Sequence, residues 1–438
     1  MAGAVTGAVV GTAVALWVQA HAFGTPARAH GDLAGLKAAF RRPAAIPFPA
    51  SNPFSEEKRA LGERLFHEKQ VSGNGKIACA TCHVRGKGFA DGLRHGRGVS
   101  GVLLKRHTPV LWNLAWAVPV FWDGRARSLE EQVAGPIEAP DEMAQPVTAV
   151  AEKLATDRSY ADAFRAAFPD DPRVTPENLA KAVATYERTL VAPPTRFDRW
   201  IEGDDKALSA AEIAGFRLFT GKAQCSNCHS GWAFTDYAFH DIGLPGDDRG
   251  RGAVLRLPAA EYAFKTPSLR EIGRSAPYMH DGSLGSLNEV VRHYESGIVA
   301  RPTLSSDLPR GLTLSSRERQ ELVAFLGTLT SRDEPIPPSR IVAETVRQTT
   351  PAEHVRTVTQ SEKSFHPTHV VIEPGQRLWF LNNDTRTHNI RVFDPALDFD
   401  SGAQEPGETV QIAFPATGSF LVFCGIHLKM ELTVDIGP

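Results

Sequence analysis

The chain carries the motif Cys-x-x-Cys-His twice, as Cys79-Ala-Thr-Cys82-His83 and as Cys225-Ser-Asn-Cys228-His229. In this spacing two thiols can form thioether bonds to a porphyrin, and the adjacent histidine can bind its iron. A thioredoxin-type or zinc-type Cys-x-x-Cys followed by a chance histidine is the alternative, but it would have to arise twice. The motifs therefore predict two covalently bound haem c groups. The predicted haem-binding residues are Cys79, Cys82, His83, Cys225, Cys228 and His229.

A second set of metal-ligating residue types lies near the C-terminus. Cys424, His427 and Met430 follow one another at intervals of three, and His388 follows a polar loop upstream. One thiolate, two imidazoles and one thioether are the ligand set of a type 1 (blue) copper centre. A lone cysteine with a methionine suits zinc poorly, and the remaining alternative is a β-sandwich that lost its metal. The four residues resemble the site of cupredoxins, and the short Cys-x-x-His-x-x-Met loop resembles amicyanin.

The segments around the two cysteine motifs indicate a duplicated helical unit. Gly-x-Arg-Leu-Phe precedes each motif, first at Gly62 and again at Gly215, which predicts duplication of one haem-binding unit. Thr175 and Pro176 form an N-cap and first-turn pair. The apolar face of the helix that they begin is Leu179, Ala182, Val183, Tyr186 and Leu190. Ser315 is predicted to cap a further helix that runs to about Leu329.

The pattern becomes strand-like in the last part of the chain. Val410, Ile412 and Phe414 stand at alternate positions, and Pro374-Gly375 and Pro406-Gly407 are typical of turns. Leu432, Val434 and Ile436 alternate in the same way, and Pro335, Pro337 and Pro338 mark a linker upstream. The predicted fold is multidomain: two mainly-α cytochrome c-like haem domains, followed by an all-β cupredoxin sandwich. The predicted ranges are 45–200 and 201–332 for the haem domains, 333–354 for the linker and 355–438 for the copper domain.

Composition narrows the class of protein. The 438 residues suggest two to four domains, and 42% hydrophobic residues are enough to bury several cores. The net charge of −2 argues against binding to nucleic acid or to an anionic membrane surface. Four of the five cysteines belong to the haem motifs, so the sequence offers no disulfide framework.

The first 29 residues resemble an export signal. They are rich in Ala, Val and Gly, and both Ala20-His21-Ala22 and Ala27-Arg28-Ala29 fit the small-x-small pattern of a cleavage site. The stretch is also long enough to be an uncleaved membrane anchor, and a buried helix is the third alternative. A signal or an anchor would each place the protein in the periplasm.

Further motifs resemble the bacterial di-haem cytochrome c peroxidases, a family that includes the MauG-like enzymes, which oxidise a protein substrate. The resemblance covers roughly residues 45–330. Its motifs are Phe121-Trp122-Asp123-Gly124-Arg125, Leu129-Glu-Glu-Gln132, Gly135-Pro136, Glu142-Met143, Lys265-Thr-Pro-Ser-Leu-Arg270 and Pro277-Tyr-Met-His280-Asp-Gly282.

The resemblance implies that the haem of His83 is the peroxidatic one, with Gln132 and Glu142 over its open face. A carboxylate can move a proton from one peroxide oxygen to the other, and an amide can hold peroxide without titrating. The alternative for Glu142 is a surface acid in a loop. Many relatives close this haem with a histidine, but Val99 stands at the aligned position. Because valine cannot bind iron, we expect an open haem, as in the MauG-like branch.

For the second haem the resemblance implies a sixth ligand opposite His229. The aligned residue is Tyr294, as in the MauG-like branch, with Met279 or His293 as alternatives. Trp122 would lie between the haems as a charge relay or as a packing residue. The family also binds calcium between its domains, but His107 replaces the asparagine ligand here. A neutral imidazole suits a hard cation poorly, so calcium is not expected.

Three functions are compatible with these residues. The first is a peroxidase that reduces hydrogen peroxide, with electrons delivered through the copper domain from a periplasmic donor. A small cytochrome c, a cupredoxin or a dehydrogenase could be that donor, and the direction of flow through copper stays open, as does a homodimer. The second is a MauG-like enzyme that modifies a partner protein. The third is a non-catalytic electron carrier or redox sensor, against which Glu142 and Gln132 argue.

Overall fold

The computed structural model describes residues 33–117, 119–331, 343–346, 352–353, 357–384, 388–394, 396–402, 404, 406–414, 417–425, 427 and 430–437. The predicted signal or anchor lies outside these residues, as does most of the predicted linker. Among the described helices, none combines the length and the apolar character that crossing a bilayer requires.

Helices dominate the first three quarters of the chain, and strands dominate the last. The α-helices are α1 (Leu33–Ala39), α2 (Glu56–His67), α3 (Cys79–Cys82), α4 (Leu129–Glu138), α5 (Val147–Ala155), α6 (Arg158–Ala167), α7 (Pro176–Arg188), α8 (Arg196–Ile201), α9 (Ala210–Thr220), α10 (Arg251–Leu255), α11 (Leu287–Arg292) and α12 (Ser316–Gly327). The strands are β1 (Ile46–Pro49), β2 (Phe239–His240), β3 (Phe264–Lys265), β4 (Ala343–Val346), β5 (Ala352–Glu353), β6 (Thr357–Ser361), β7 (Ser364–His366), β8 (His369–Ile372), β9 (Arg377–Asn382), β10 (Arg391–Asp394), β11 (Leu397–Asp400), β12 (Thr409–Ala413), β13 (Gly418–Phe423) and β14 (Glu431–Ile436).

The first haem unit is built around the packing of α2 against α7. The Thr175 side chain accepts a hydrogen bond from the amide of Asn178, and Pro176 stands in the first turn, which confirms the predicted start of α7. All five residues of the predicted apolar face are buried. Together with the facing side chains of α2, they form an apolar core next to the first cysteine motif.

The second haem unit repeats this arrangement with α9 and α12. Ser315 caps α12, as predicted, and does so in a capping box with Glu318. The helix ends at Gly327, slightly before the predicted end at about Leu329. Phe216 of α9 and Phe325 of α12 are fully buried in one aromatic core. The short helix α8 adds its apolar side chains to this core. By packing, residues 196–201 therefore join the second unit, although the sequence placed the boundary at 200.

The glycine of each Gly-x-Arg-Leu-Phe repeat marks a close crossing of two helices. A β-carbon added at Gly62 would lie 2.0 Å from the carbonyl oxygen of Ala182 on α7. One added at Gly215 would lie 2.0 Å from the carbonyl oxygen of Glu321 on α12. Both distances are far inside van der Waals contact, so only glycine lets the paired backbones approach this closely. The repeated glycine therefore has the same role in both haem units.

We expect Gly215→Ala to destabilise the second haem unit by about 3 kcal/mol, because the helices must separate to admit the methyl group. Gly327→Ala is the matched control, since a β-carbon there meets nothing within 4 Å and alanine is the better helix former. Differential scanning calorimetry should show a lower unfolding temperature for the first variant only. Equal transitions in the two variants would contradict a close crossing at Gly215.

The C-terminal domain is an all-β sandwich, as predicted. One sheet has the strand order β11-β10-β13-β14-β8-β5, and the other has the order β12-β9-β6-β7. The inward-facing residues of both sheets form one apolar core, in which the predicted alternating positions Leu432, Val434 and Ile436 are buried. Pro374-Gly375 and Pro406-Gly407 lie in turns, as predicted.

The segment before the sandwich is fixed to the first haem unit. Strand β4, which falls inside the predicted linker, pairs in parallel with β1, and Ile46 lies opposite Ala343. Residues 343–346 of the linker are therefore attached to the haem region by a backbone ladder, whereas β5, at the end of the linker, pairs with β8 of the sandwich.

Candidate functional site

The first Cys-x-x-Cys-His motif forms one short helix, α3, with His83 as its C-cap. The Nδ1 atom of His83 lies 2.8 Å from the carbonyl oxygen of Phe89, so it donates there and leaves Nε2 free to bind iron. Burial raises the pKa of the Cys79 thiol to about 12 and that of Cys82 to about 11. A thioether carries no charge to bury, so covalent attachment to haem suits these two sulfurs.

The second motif forms a 3₁₀ turn, Cys225–Asn227, in place of an α-helix, but it repeats the contact of the histidine. The Nδ1 atom of His229 lies 2.9 Å from the carbonyl oxygen of Phe234, and burial lowers the pKa of the imidazole. Burial also raises the pKa of the Cys225 thiol to about 12. Both motifs thus present a buried imidazole with a fixed tautomer beside two cysteine sulfurs, which fits the attachment of haem c at each.

A cavity of about 1000 Å³ opens between the first motif and the second haem unit. Its wall includes His83 and Trp122 on one side and Tyr237 and Pro267 on the other. This volume and the apolar lining suit a bound prosthetic group. Trp122 donates from Nε1 to the carbonyl oxygen of His107 at 2.9 Å, which fixes the indole at the cavity wall. Its position between the haems stays a prediction.

Gln132 and Glu142 both line a smaller cavity together with Cys79, Cys82 and His83. Gln132 lies on α4, which Ser128 caps, and Glu142 lies in the turn that follows the helix. Burial, aided by the charge of Asp141, raises the pKa of Glu142 against the opposing effect of Arg125. The structure therefore brings together the predicted amide and a carboxyl group that accepts protons more readily than usual.

The loop at the expected closing position packs directly on Glu142. The amide of Val99 donates to the carbonyl oxygen of Glu142 at 2.7 Å. A β-carbon at Gly98 would lie 1.8 Å from the carbonyl oxygen of Asp141, so the loop lies against this turn. Val99 carries no ligand atom, and the backbone contact keeps it beside the predicted acid.

Tyr294 lies in a single π-helical turn, His293–Gly297, that follows α11. Burial raises the pKa of its phenol, and the nearby Cys228 and Cys225 add to the effect. The Nε2 atom of His293 instead lies 2.9 Å from the carbonyl oxygen of Ile242, and Met279 lines the large cavity with His83. Of the three candidates, Tyr294 is the one placed beside the second motif.

By the resemblance, His107 stands where the family carries a calcium-binding asparagine. It is buried, its Nδ1 atom lies 2.7 Å from the carbonyl oxygen of Leu93, and it lines the large cavity with Ser275 and Pro277. An imidazole at this point favours a packing role, because it suits a hard cation such as calcium poorly.

The four predicted copper ligands lie at one end of the sandwich. The Sγ atom of Cys424 is 3.7 Å from the Nδ1 atoms of both His388 and His427, and these two nitrogens are 2.9 Å apart. Met430 is buried in the same core, and its amide donates to the carbonyl oxygen of His427. Three ligand atoms that converge on one point, with a buried thioether nearby, fit a type 1 copper ion.

The surroundings of these residues also suit copper. The amides of Asn389 and His427 donate to the sulfur of Cys424 at 3.5 and 3.4 Å, which stabilises a thiolate. The Nε2 atom of His388 bonds a carboxylate oxygen of Asp384 at 3.1 Å, so Nδ1 is directed at the metal position.

Sequence reasoning missed Glu187, which lines the smaller cavity beside Cys79. Its side chain is 5% exposed, and its Oε2 atom has no hydrogen-bond partner among the described residues. Burial raises its pKa to about 8. The signal was present in the sequence, because Glu187 stands one helical turn after Val183 on the apolar face of α7.

Paired helical units with two Cys-x-x-Cys-His motifs define a di-haem oxidoreductase of the cytochrome c type. The family model for the di-haem cytochrome c peroxidases matches residues 56–206. The "Methylamine utilization protein MauG" of Methylorubrum extorquens is 50% identical over 301 residues, which are 68% of this chain and 85% of that protein. The chain therefore belongs to the di-haem cytochrome c peroxidase/MauG family, whose members carry two c-type haems.

Other relatives are peroxidases by name. The "Cytochrome c551 peroxidase" of Pseudomonas aeruginosa is 33% identical over 311 residues, 69% of this chain and 86% of that protein. The crystal structure of a MauG-like protein associated with microbial copper homeostasis superposes with a TM-score of 0.61 at 30% identity, over 68% of this chain and 96% of that one. These matches cover about two thirds of the chain. The class of the C-terminal sandwich is therefore inferred from its own strands and from its cluster of Cys424, His388 and His427.

Proposed function

We propose that this protein is a periplasmic peroxidase that reduces hydrogen peroxide to water with electrons delivered through its own copper domain. The balance is H₂O₂ + 2 e⁻ + 2 H⁺ → 2 H₂O. The observation that carries the proposal is that Glu142, which is half-buried, lines one cavity with His83 and Gln132. By the resemblance, Val99 stands where many relatives carry a closing histidine. A carrier would gain nothing from an acid and an amide at this position.

The first haem, when bound to Cys79, Cys82 and His83, supplies the iron at which peroxide is reduced. Glu142 takes the proton from the nearer peroxide oxygen and returns it to the farther one, which leaves as water. The amide of Gln132 orients the peroxide without changing charge. His229 and Tyr294 would hold the second haem, which would exchange electrons one at a time, and Trp122 relays charge between the two units.

The copper domain supplies electrons singly through a site held by His388, Cys424, His427 and Met430. Its external donor is a small cytochrome c, a cupredoxin or a dehydrogenase of the periplasm. Because the copper domain is fused to the haem units, its effective concentration at them is on the order of millimolar, the range found for modules joined by short flexible linkers. Export through the N-terminal segment places the protein where such donors occur.

A MauG-like activity on a partner protein is the second candidate. Two observations favour it: 50% identity to a MauG protein, and Tyr294 where many peroxidases carry methionine. In that case the copper domain receives or relays the electrons that are removed from the partner.

Stopped-flow mixing of pre-reduced protein with hydrogen peroxide separates the two candidates. For the peroxidase we expect copper to be oxidised rapidly, with one peroxide consumed for every two electrons. Cys424→Ala should abolish the copper signal and stop delivery from the external donor, while the haem spectra still respond to peroxide. An oxidised state that persists until a partner protein is added would favour the second candidate. Haem spectra that ignore peroxide would refute both.

A further inference from the structure

The two neighbours of Cys424 contact the second haem unit. Phe423, which precedes it on β13, is buried in an apolar cluster with Phe239 and Leu255. On the other side, a β-carbon at Gly425 would lie 3.5 Å from the side chain of Leu257. The ligand end of the sandwich is therefore the end that faces the haem region.

Arg251 joins all three domains at this contact. Its side chain is nearly buried, and its guanidinium forms an ion pair with the carboxylate of Glu431, the first residue of β14. The same guanidinium donates to the carbonyl oxygens of Asp123 and Gly124 at 3.2 and 2.7 Å, and it lies 4.6 Å from the ring centroid of Phe239. A single buried cation thus fixes the copper domain to the turn that follows Trp122.

A second ion pair crosses the same interface. The Nζ atom of Lys363 lies 3.4 Å from a carboxylate oxygen of Asp307. The amide of Lys363 donates at 3.2 Å to Asp384, which bonds His388. The carbonyl oxygen of Asp307 accepts from the side chain of Asn227 at 3.0 Å, inside the second cysteine motif. A chain of polar contacts therefore runs from a copper ligand to the attachment site of the second haem.

The apolar contact ends at the same place. Phe239 is followed by His240, whose Nε2 atom lies 2.9 Å from Asp236. Ligand atoms of His240, Asp236 and Cys228 all lie within 4.8 Å of one another. Since Cys228 belongs to the second cysteine motif, the packed rings of Phe423 and Phe239 also lead to the second haem.

From these contacts we infer that the ligand end of the copper domain is docked on the second haem unit, and that electrons pass between copper and the second haem across this contact. The inference rests on the proposed function for its redox part. In each event one electron passes from copper to the second haem unit. Cu(I) is oxidised to Cu(II), the haem unit is reduced by one electron, and no bond is made or broken and no proton moves. Arg251 and Asp307 are positioning residues, which set the distance that the electron crosses.

The test uses the holoenzyme and four variants. Glu431→Gln removes the partner charge of Arg251, and Asp307→Lys puts two cations face to face. The double variant Asp307→Lys/Lys363→Glu restores an ion pair with reversed sign. Arg391→Gln is the matched control, because it breaks an ion pair with Asp400, 2.9 Å long, inside the sandwich.

Two measurements are made on each sample. Stopped-flow mixing with peroxide gives the first-order rate of copper oxidation, and small-angle X-ray scattering gives the radius of gyration. We expect Glu431→Gln and Asp307→Lys to slow copper oxidation at least tenfold and to enlarge the radius of gyration. The double variant should recover both values, and Arg391→Gln should change neither.

Each contrary result has its own meaning. If wild-type copper is oxidised and both single variants keep its rate, electrons do not cross here and the inference is wrong, while the peroxidase proposal stands. If wild-type copper stays reduced although the single variants enlarge the radius of gyration, the docking holds and delivery through copper is wrong. Should Glu431→Gln fail to bind copper, Asp307→Lys decides, because that change lies on the haem side.

Discussion

Glu142→Gln should slow the cleavage of hydrogen peroxide roughly 100-fold or more, the usual worth of a general acid–base group. The amide keeps the size of the side chain but cannot accept the proton that the carboxylate takes from peroxide. Rapid mixing of the holoenzyme with excess peroxide measures this rate through the haem absorbance. An unchanged rate would remove Glu142 from the mechanism.

The pH profile provides a check that a structural effect would not mimic. Because the carboxyl group must be ionised to take the proton, the wild-type rate falls as the pH drops through the pKa of Glu142. Burial and Asp141 raise that pKa above its usual value of 4.5. Asp141→Asn should move this acidic limb to lower pH without a lower maximum rate, and in Glu142→Gln the limb should disappear.

Glu187→Gln should make the folded protein more stable above pH 8, by on the order of 4 kcal/mol. The folded-state pKa of about 8 exceeds the ordinary value of 4.5. The folded protein therefore keeps a proton that the unfolded chain releases, and stability falls as the pH rises from 4.5 to about 8. The glutamine variant has no proton to lose at this position, so this part of the pH dependence vanishes.

Urea unfolding at pH 5 and pH 9 measures the effect, with Glu177→Gln as the control. Glu177 lies on the same helix, but its side chain is 74% exposed, so its replacement should leave the pH dependence unchanged. If the free energy of unfolding falls by the same amount between the two pH values in wild type and in Glu187→Gln, then Glu187 ionises without loss of stability and the prediction is wrong.

Local patterns predicted the parts of this molecule that form over a few residues. A Cys-x-x-Cys-His motif needs only five consecutive residues, and the caps at Thr175 and Ser315 act within one turn. Strand alternation at Leu432 and Val434 reflects one buried face. Tyr294 and Trp122 have no local pattern of this kind, and only the family resemblance drew attention to them.

The contacts between domains could not be predicted from local sequence patterns. Arg251 begins the short helix α10 and is one of several charged residues in its segment, and nothing near it in the sequence points to Glu431 or Gly124. Phe239 and Phe423 come together only after both domains have folded. The predicted boundary at 200 also divides α8, although Phe197 packs in one core with Phe216 and Phe325.

The packing of Phe423 and Gly425 against the haem region limits which dissolved molecules can reach Cys424. The flanks of the cysteine ligand are covered by the protein's own surface, so a diffusing oxidant or a non-cognate carrier cannot approach the thiolate from that side. The copper domain is thereby protected on this side from oxidation by unrelated molecules, and any external carrier must exchange electrons at another face.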